Sequence, residues 1–261
     1  MYLRRNQEDV LAELPDLVRT DEWVEFNRHD SAAYRTAVLD GNFMAMRRAA
    51  YAPATPAHSA KLERLVELVG EAAANGHKVV IYSFFREFLD TVASNLGERA
   101  FGPLTGSLSP ATRQDLVDQF SRVNGHAALV SQIQAGGVGL NIQAASIVII
   151  CEPQVKPTTE EQAIARCHRM GQVRSVQVHR LLVANSVDQR MLEILEALEA
   201  KAKLFDEYAR RSDIAEARPD AVDISDGELA RQVVELEQER LAREAIAAQE
   251  AFGSAQREPE S

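Results

Sequence analysis

The sequence predicts an α/β fold, a parallel sheet with helices on both faces, preceded by a helical lead-in and followed by long C-terminal helices. Two observations carry this reading. The runs ALVS (128–131) and IVIIC (147–151) show no alternation with polar residues, as strands buried on both faces require. These runs, with KVVIYS (78–83) and VQVHRLLV (176–183), are spaced by helix-patterned stretches of about 10 to 15 residues, which implies βαβ crossovers.

Taken in order, residues 30–51 carry an N-cap candidate and helix formers, and the breaker run APATPAH (52–58) closes them off. In SAKLERLVELVGEAAANG, Ser59 can cap a helix whose Leu62, Leu65, Val66 and Val69 recur at helical spacing, and Gly76 stops it. REFLDTVASNLG (86–97) is helix-like. Ser109 and Pro110 occupy the favoured cap and first-turn positions of a helix running to Phe120. Beyond the last strand, residues 186–211 and 225–252 form two long helices; Ser225 and Glu228 make a capping box for the second, with Leu229, Val233 and Leu236 as its apolar stripe. The final stretch, SAQREPES, is expected to fray. These breaks divide the chain into a linker and lead-in (1–58), a central lobe (59–186) and a helical extension with an acidic tail (187–261).

The 261 residues are 46% hydrophobic and 26% charged, which excludes a wholly disordered or membrane-spanning chain. No apolar run approaches the roughly 18 residues that cross a bilayer, and no leader pattern is found, so no membrane partner and a cytoplasmic location are expected. Cys151 and Cys167 lack metal-ligand spacing and read as reduced thiols. The net charge of -10 does not invite nucleic acid overall, but 6 basic and 13 acidic residues lie in 211–261, so most of the excess is in the tail.

Two stretches could carry chemistry. In SQIQAGGVGLNIQAAS (131–146), Gly136, Gly137 and Gly139 follow a buried strand and permit close approach of a phosphate, although a plain tight turn explains them too. In EEQAIARCHRMGQVRS (160–175), Thr158 and Glu161 fit a capping box, and Gln162, Arg166 and Arg169 then stand at i, i+4 and i+7 on one helix face that ends at Gly171. Two guanidiniums on a rigid element suit a phosphoryl group. The bland alternative is a pair of solvated arginines bonded to Glu160 and Glu161.

RCHRMGQ resembles the RxHRxGQ signature of the Swi/Snf-like ATPases of helicase superfamily two. AGGVGLN is similar to that family's Gly-rich motif, KVVIYSFFREFLD and GSLSPATRQDLVDQF to two earlier motifs, and MYLRRNQEDVLAELP (1–15) to its interlobe linker. The resemblance implies a RecA-like second lobe that shares ATP and Mg2+ with a first lobe. Arg166 and Arg169 would be finger arginines at the γ-phosphate, and Gln162 would line that face. Gly136, Gly137 and Gly139 would couple nucleotide state to DNA, and Ser83 and Arg113 would contact its backbone. Four positions depart from the pattern: Ile133 and Gln134 replace a Thr-Arg pair, Gln7 a lysine, and Val155 a tryptophan.

The nucleotide-gripping half is missing. No Gly-Lys pair exists in the chain, so there is no GxxxxGK[ST] loop, and neither Asp21-Glu22 nor Asp206-Glu207 reads as a carboxylate at the end of a buried strand. The expected partners are therefore a first RecA-like lobe and DNA. A non-catalytic nucleic-acid or partner-binding module and an RNA-directed helicase lobe remain as alternatives.

Overall fold

The computed structural model describes residues 14–51, 58–135, 140–212 and 224–255. Six strands form one sheet in the order β1-β6-β5-β2-β4-β3: β1 (Leu17–Val24), β2 (Val79–Ser83), β3 (Ala100–Leu104), β4 (Ala128–Gln132), β5 (Ile147–Ile150) and β6 (Val176–Val183). Every neighbouring pair is parallel. Helices α1 (Arg28–Leu39) and α2 (Phe43–Arg48) precede α3 (Ala60–Ala74), α4 (Arg86–Leu96), α5 (Pro110–Arg122), α6 (Pro157–Ile164), α7 (Val187–Ser212) and α8 (Asp226–Ala255).

The lack of polar alternation has a direct structural cause. Along β2, Val79 and Ile81 pack with Leu62, Leu65, Phe88 and Leu89 of α3 and α4, while Val80 and Tyr82 pack with Val117 and Phe120 of α5 and Ile164 of α6. Both pleats are covered, so neither can be polar. A third core joins α1, α2, α7 and α8 through Tyr34, Val38, Met46, Met191, Leu229 and Val233.

The caps form largely as expected. Ser59 Oγ accepts from Leu62 N at 3.3 Å, Ser109 Oγ from Thr112 N at 3.1 Å and Ser225 Oγ from Glu228 N at 3.1 Å. Each is worth about 1 kcal/mol. The Glu228 carboxylate does not return to the cap; it binds Arg231 and Gln232. The thiols of Cys151 and Cys167 are both free and buried.

Two strands were not anticipated. LVRTDEWV, within the segment read as linker and lead-in, is the edge strand β1, and AFGPL is β3 at the other edge. β1 carries charge because partners flank it: Arg180 binds Asp21 at 2.9 and 3.0 Å, and Glu22 meets His179 and Arg64. The linker resemblance over residues 1–13, including Gln7, lies outside the described residues, as does the tail beyond Ala255.

Asp30 ties the lead-in to the lobe. It is fully buried near the start of α1, and its Oδ2 accepts from Ala60 N at 2.9 Å, at the start of α3. Oδ1 has no partner among the described residues. Burial pushes this carboxyl up from 3.8 to about 6. A carboxyl raised in the folded state favours folding fully below its unfolded value, and that contribution disappears as pH rises through about 6. Asp30→Asn keeps the acceptor and removes the ionisation. Its stability advantage over wild type in urea unfolding is therefore expected to be near zero below pH 4 and to reach up to about 3 kcal/mol above pH 7. A difference that is flat between pH 4 and 8 would assign the cost to something other than Asp30.

Candidate functional site

The arginine-bearing segment departs from the expected helix. α6 begins at Pro157 with Lys156 as its cap residue and no side-chain cap bond, so the Thr158–Glu161 capping box does not form. The helix ends at Ile164, seven residues before Gly171. Gln162 lies exposed on α6, while Arg166 and Arg169 follow on an irregular turn; the three do not share a helix face.

Tertiary bonds explain the early stop. Arg166 O accepts from Ile142 N at 3.0 Å in place of a continuing helical ladder, and the His168 ring is tied to Pro15 O at 2.7 Å. Gln143 Nε2 donates to Met170 O and, at 3.4 Å, to Arg169 O. Gln172, buried, donates to Gln143 O at 3.1 Å, Ala145 O at 3.0 Å and Cys167 O at 3.2 Å, and its Oε1 accepts from Arg174 N. Gly171 adopts φ +96°, and a Cβ there would stand 3.3 Å from the Gln143 amide. Glycine is thus required where the turn presses against the segment that follows the Gly-rich loop. Cys167 of this turn is buried in the same apolar cluster as Tyr82, near the C-terminal end of β2.

The carboxylates that could have neutralised the arginines are occupied. Glu161 binds Arg19 through two bonds of 2.5 and 2.7 Å, which holds its carboxyl below the usual range. Glu160 accepts from Gln154 N at 2.8 Å and stands 3.6 Å from Arg180. Among the described residues neither Arg166 nor Arg169 is in an ion pair. Arg169 is exposed and Arg166 half-buried, with Nη1 fully enclosed.

Gly136, Gly137 and Gly139 lie outside the described residues. Their flank is held by Arg113, whose guanidinium donates to Leu108 O at 3.1 Å and Ala135 O at 2.8 Å. Arg113 therefore clamps backbone. Ser83 corrects the sequence reading: it is fully buried, donates to Glu152 Oε2 at 2.9 Å and accepts from Phe85 N, which removes it from any surface contact.

Glu152 was missed, although an acidic residue directly after the apolar run IVIIC was a legible signal. It is a strand-end carboxylate, but an enclosed one. Its Oε1 accepts from Phe84 N at 2.6 Å and Gln154 Nε2 at 3.1 Å, and burial raises its pKa. Bonded in this way it has no free lone pair aimed outward for a cation. No group of three acidic, histidine or cysteine side chains suited to a metal occurs among the described residues. No described helix is long and apolar enough to cross a membrane.

Three clefts of about 460, 680 and 350 Å3 open on the surface, and none is lined by Gln162, Arg166 or Arg169. The smallest reaches Gln134, at the entry to the Gly-rich loop, together with Phe84, Arg47 and Lys156.

Residues 60–171 match the family described as "Helicase conserved C-terminal domain". A Drosophila melanogaster SWI/SNF-related regulator of chromatin, subfamily A containing DEAD/H box 1 homolog, is 36% identical over 148 residues, which is 56% of this chain and 17% of that protein. The crystal structure of the C-terminal part of the Fun30 ATPase domain superposes with TM-score 0.69 at 17% identity, covering 88% of this chain and 99% of that one. The Sulfolobus solfataricus SWI2/SNF2 ATPase core in complex with dsDNA gives TM-score 0.59 at 20% identity, covering 86% of this chain and 52% of that one. The chain spans about a fifth or less of the length of the curated relatives it matches.

Proposed function

We propose that this chain, a C-terminal lobe of the Swi/Snf-like superfamily-two ATPases, supplies the trans-acting half of an ATP-hydrolysing motor that moves on DNA. The observation that carries the reading is the state of Arg166 and Arg169. Two guanidiniums sit on a turn fixed by backbone bonds, have no carboxylate partner among the described residues, and lie beside acids already bound elsewhere. An unneutralised arginine pair on a rigid support suits the charge that develops on a transferring phosphoryl group.

The residues fit one side of an ATP site. Arg166 and Arg169 could meet the terminal phosphate, with Gln162 nearby on α6. The chain has no GxxxxGK[ST] loop, and Glu152 is enclosed by its own bonds, so Mg2+ and the β-phosphate would be held by a first lobe. ATP supplies the phosphoryl group, and this chain contributes positive charge opposite it. Double-stranded DNA is the proposed track, bound through its phosphates and so weakened by salt.

The test is reconstitution. The purified chain is expected to show no ATP turnover. Joined to a nucleotide-gripping first lobe, it is expected to hydrolyse ATP with stimulation by duplex DNA in preference to RNA. Robust turnover by the isolated chain would refute the dependence on a partner lobe. Stimulation by RNA alone would redirect the reading to an RNA helicase lobe.

A further inference from the structure

Two remote segments fasten the arginine turn. One is the stretch after the Gly-rich loop, where Ile142 N donates to Arg166 O at 3.0 Å and Gln143 Nε2 donates to Met170 O. The other is the chain entering β1. Arg19 binds Glu161 just before the turn, the His168 ring bonds Pro15 O at 2.7 Å at its middle, and Val176 N donates to Asp16 O at 2.9 Å just after it. Leu17 packs against the apolar cluster that holds Ile164 and Cys167. Residues 15–19 thus meet the arginine segment at its start, centre and end. They do so from 142 and 153 positions away at the two side-chain bonds, and from outside the matched stretch 60–171.

Of these contacts the His168 bond is the one made from between the two arginines. A carbonyl oxygen only accepts, so in this bond Nε2 carries the proton and donates it. α6 has already ended at Ile164, and no helical ladder fixes the direction in which the following side chains leave the backbone. Tertiary bonds have to do so.

We propose that His168 is a positioning residue: its Nε2–H, donated to Pro15 O, clamps the arginine turn to the chain entering β1, so that Arg166 and Arg169 are aimed only when that chain is in place. The effect on turnover rests on the reading of the two arginines as fingers; the clamp does not. A group held before its ligand arrives loses less freedom on engaging it, and a displacement of about 1 Å near a reacting centre can cost about a hundredfold in rate. β1 then belongs to the phosphate-facing unit, although it is an edge strand that pairs with β6 alone.

The clamp is tested on the 261-residue chain without nucleotide or a first lobe. In side-chain nitrogen NMR, His168, assigned by the loss of its signals in His168→Gln, is expected to show a slowly exchanging proton on Nε2. Backbone amide exchange then reads the two arginines, because Ile142 N bonds Arg166 O and Gln172 N bonds Arg169 O. In His168→Asn the amide nitrogen stands near the Nδ1 position, short of Pro15 O, and both backbone amides are expected to exchange about tenfold faster. In His168→Gln the amide nitrogen stands where Nε2 does, and both are expected to stay within about twofold of wild type. A wild-type Nε2 without a protected proton would overturn the clamp, and that measurement stands even where His168→Asn fails to fold. Amide rates unchanged in His168→Asn, or raised equally in both variants, would overturn it too. Joined to a first lobe, His168→Asn is expected to lower kcat about tenfold or more with KM for ATP within about twofold, and His168→Gln to recover most of the loss. Unchanged kcat in His168→Asn where Arg166→Ala abolishes turnover would overturn the positioning role. If the amides behave as expected while Arg166→Ala and Arg169→Ala keep full turnover, the finger reading falls and the clamp stands.

Discussion

Arg166→Ala or Arg169→Ala, introduced into the chain joined to a nucleotide-gripping first lobe, is expected to lower ATP turnover by about a thousandfold or more. The size follows from what the arginines lack. Neither is in an ion pair among the described residues, so neither guanidinium is already neutralised before a phosphate arrives. The loss should fall on kcat more than on KM, because charge on the transferring phosphoryl group is largest in the transition state. Lysine at either position should recover only part of the rate, since an ammonium cannot make the planar two-point contact. Arg231→Ala is the matched control. That arginine lies on the outer face of α8, bonded to Glu228 and Glu235, and its loss should leave turnover unchanged. Steady-state ATPase assays with and without duplex DNA read all of these variants. Full activity in both alanine variants would point to a binding module in which the arginines serve as phosphate contacts without catalysis.

The sheet's interior was legible and its edges were not, for one reason. β2, β4 and β5 are covered on both faces, so their apolar character has no polar interruption to confuse it. β1 pairs with a neighbour on one side only, and Arg19, Asp21 and Glu22 are compatible with a strand because Glu161, Arg180, His179 and Arg64 stand beside them. β3 contains glycine and proline and shifts register against β4 between Phe101 and Leu104, so it lacks a strand pattern altogether. The arginine segment shows the complementary failure. Its residues are good helix formers through Arg169, and local preference alone would continue the helix; Ile142, Gln143 and Pro15, distant in sequence, claim its backbone and His168 instead. Motif spacing therefore gave these residues the wrong geometry. The buried ionic groups were invisible because a Lys or Asp within a helical pattern reads as solvent-facing until its partner is known.

The largest stability effect is expected at the most enclosed of those groups. Lys61 of α3 and Asp188 of α7 meet at 2.6 Å with side chains 0% and 3% exposed. Lys61 Nζ also donates to Cys151 O at 3.1 Å, and Asp188 Oδ2 accepts from Val183 N at 3.0 Å. The pair thus joins α3, the end of β5, the end of β6 and the start of the C-terminal helices at one point. Lys61→Met leaves a buried carboxylate without its cation, and Asp188→Asn leaves a buried ammonium without its anion. Each is expected to cost about 3–5 kcal/mol, a large part of a typical domain's stability. The double variant removes both charges, and the side-chain amide that Asp188→Asn introduces keeps an acceptor for Val183 N. It should therefore be markedly more stable than the sum of the single losses predicts, by well over 1 kcal/mol. Denaturant unfolding of wild type, the two single variants and the double variant measures this coupling. Losses that add to within about 0.5 kcal/mol would mean the two groups act independently, and the junction would then be held by its apolar neighbours Tyr51 and Leu181 alone.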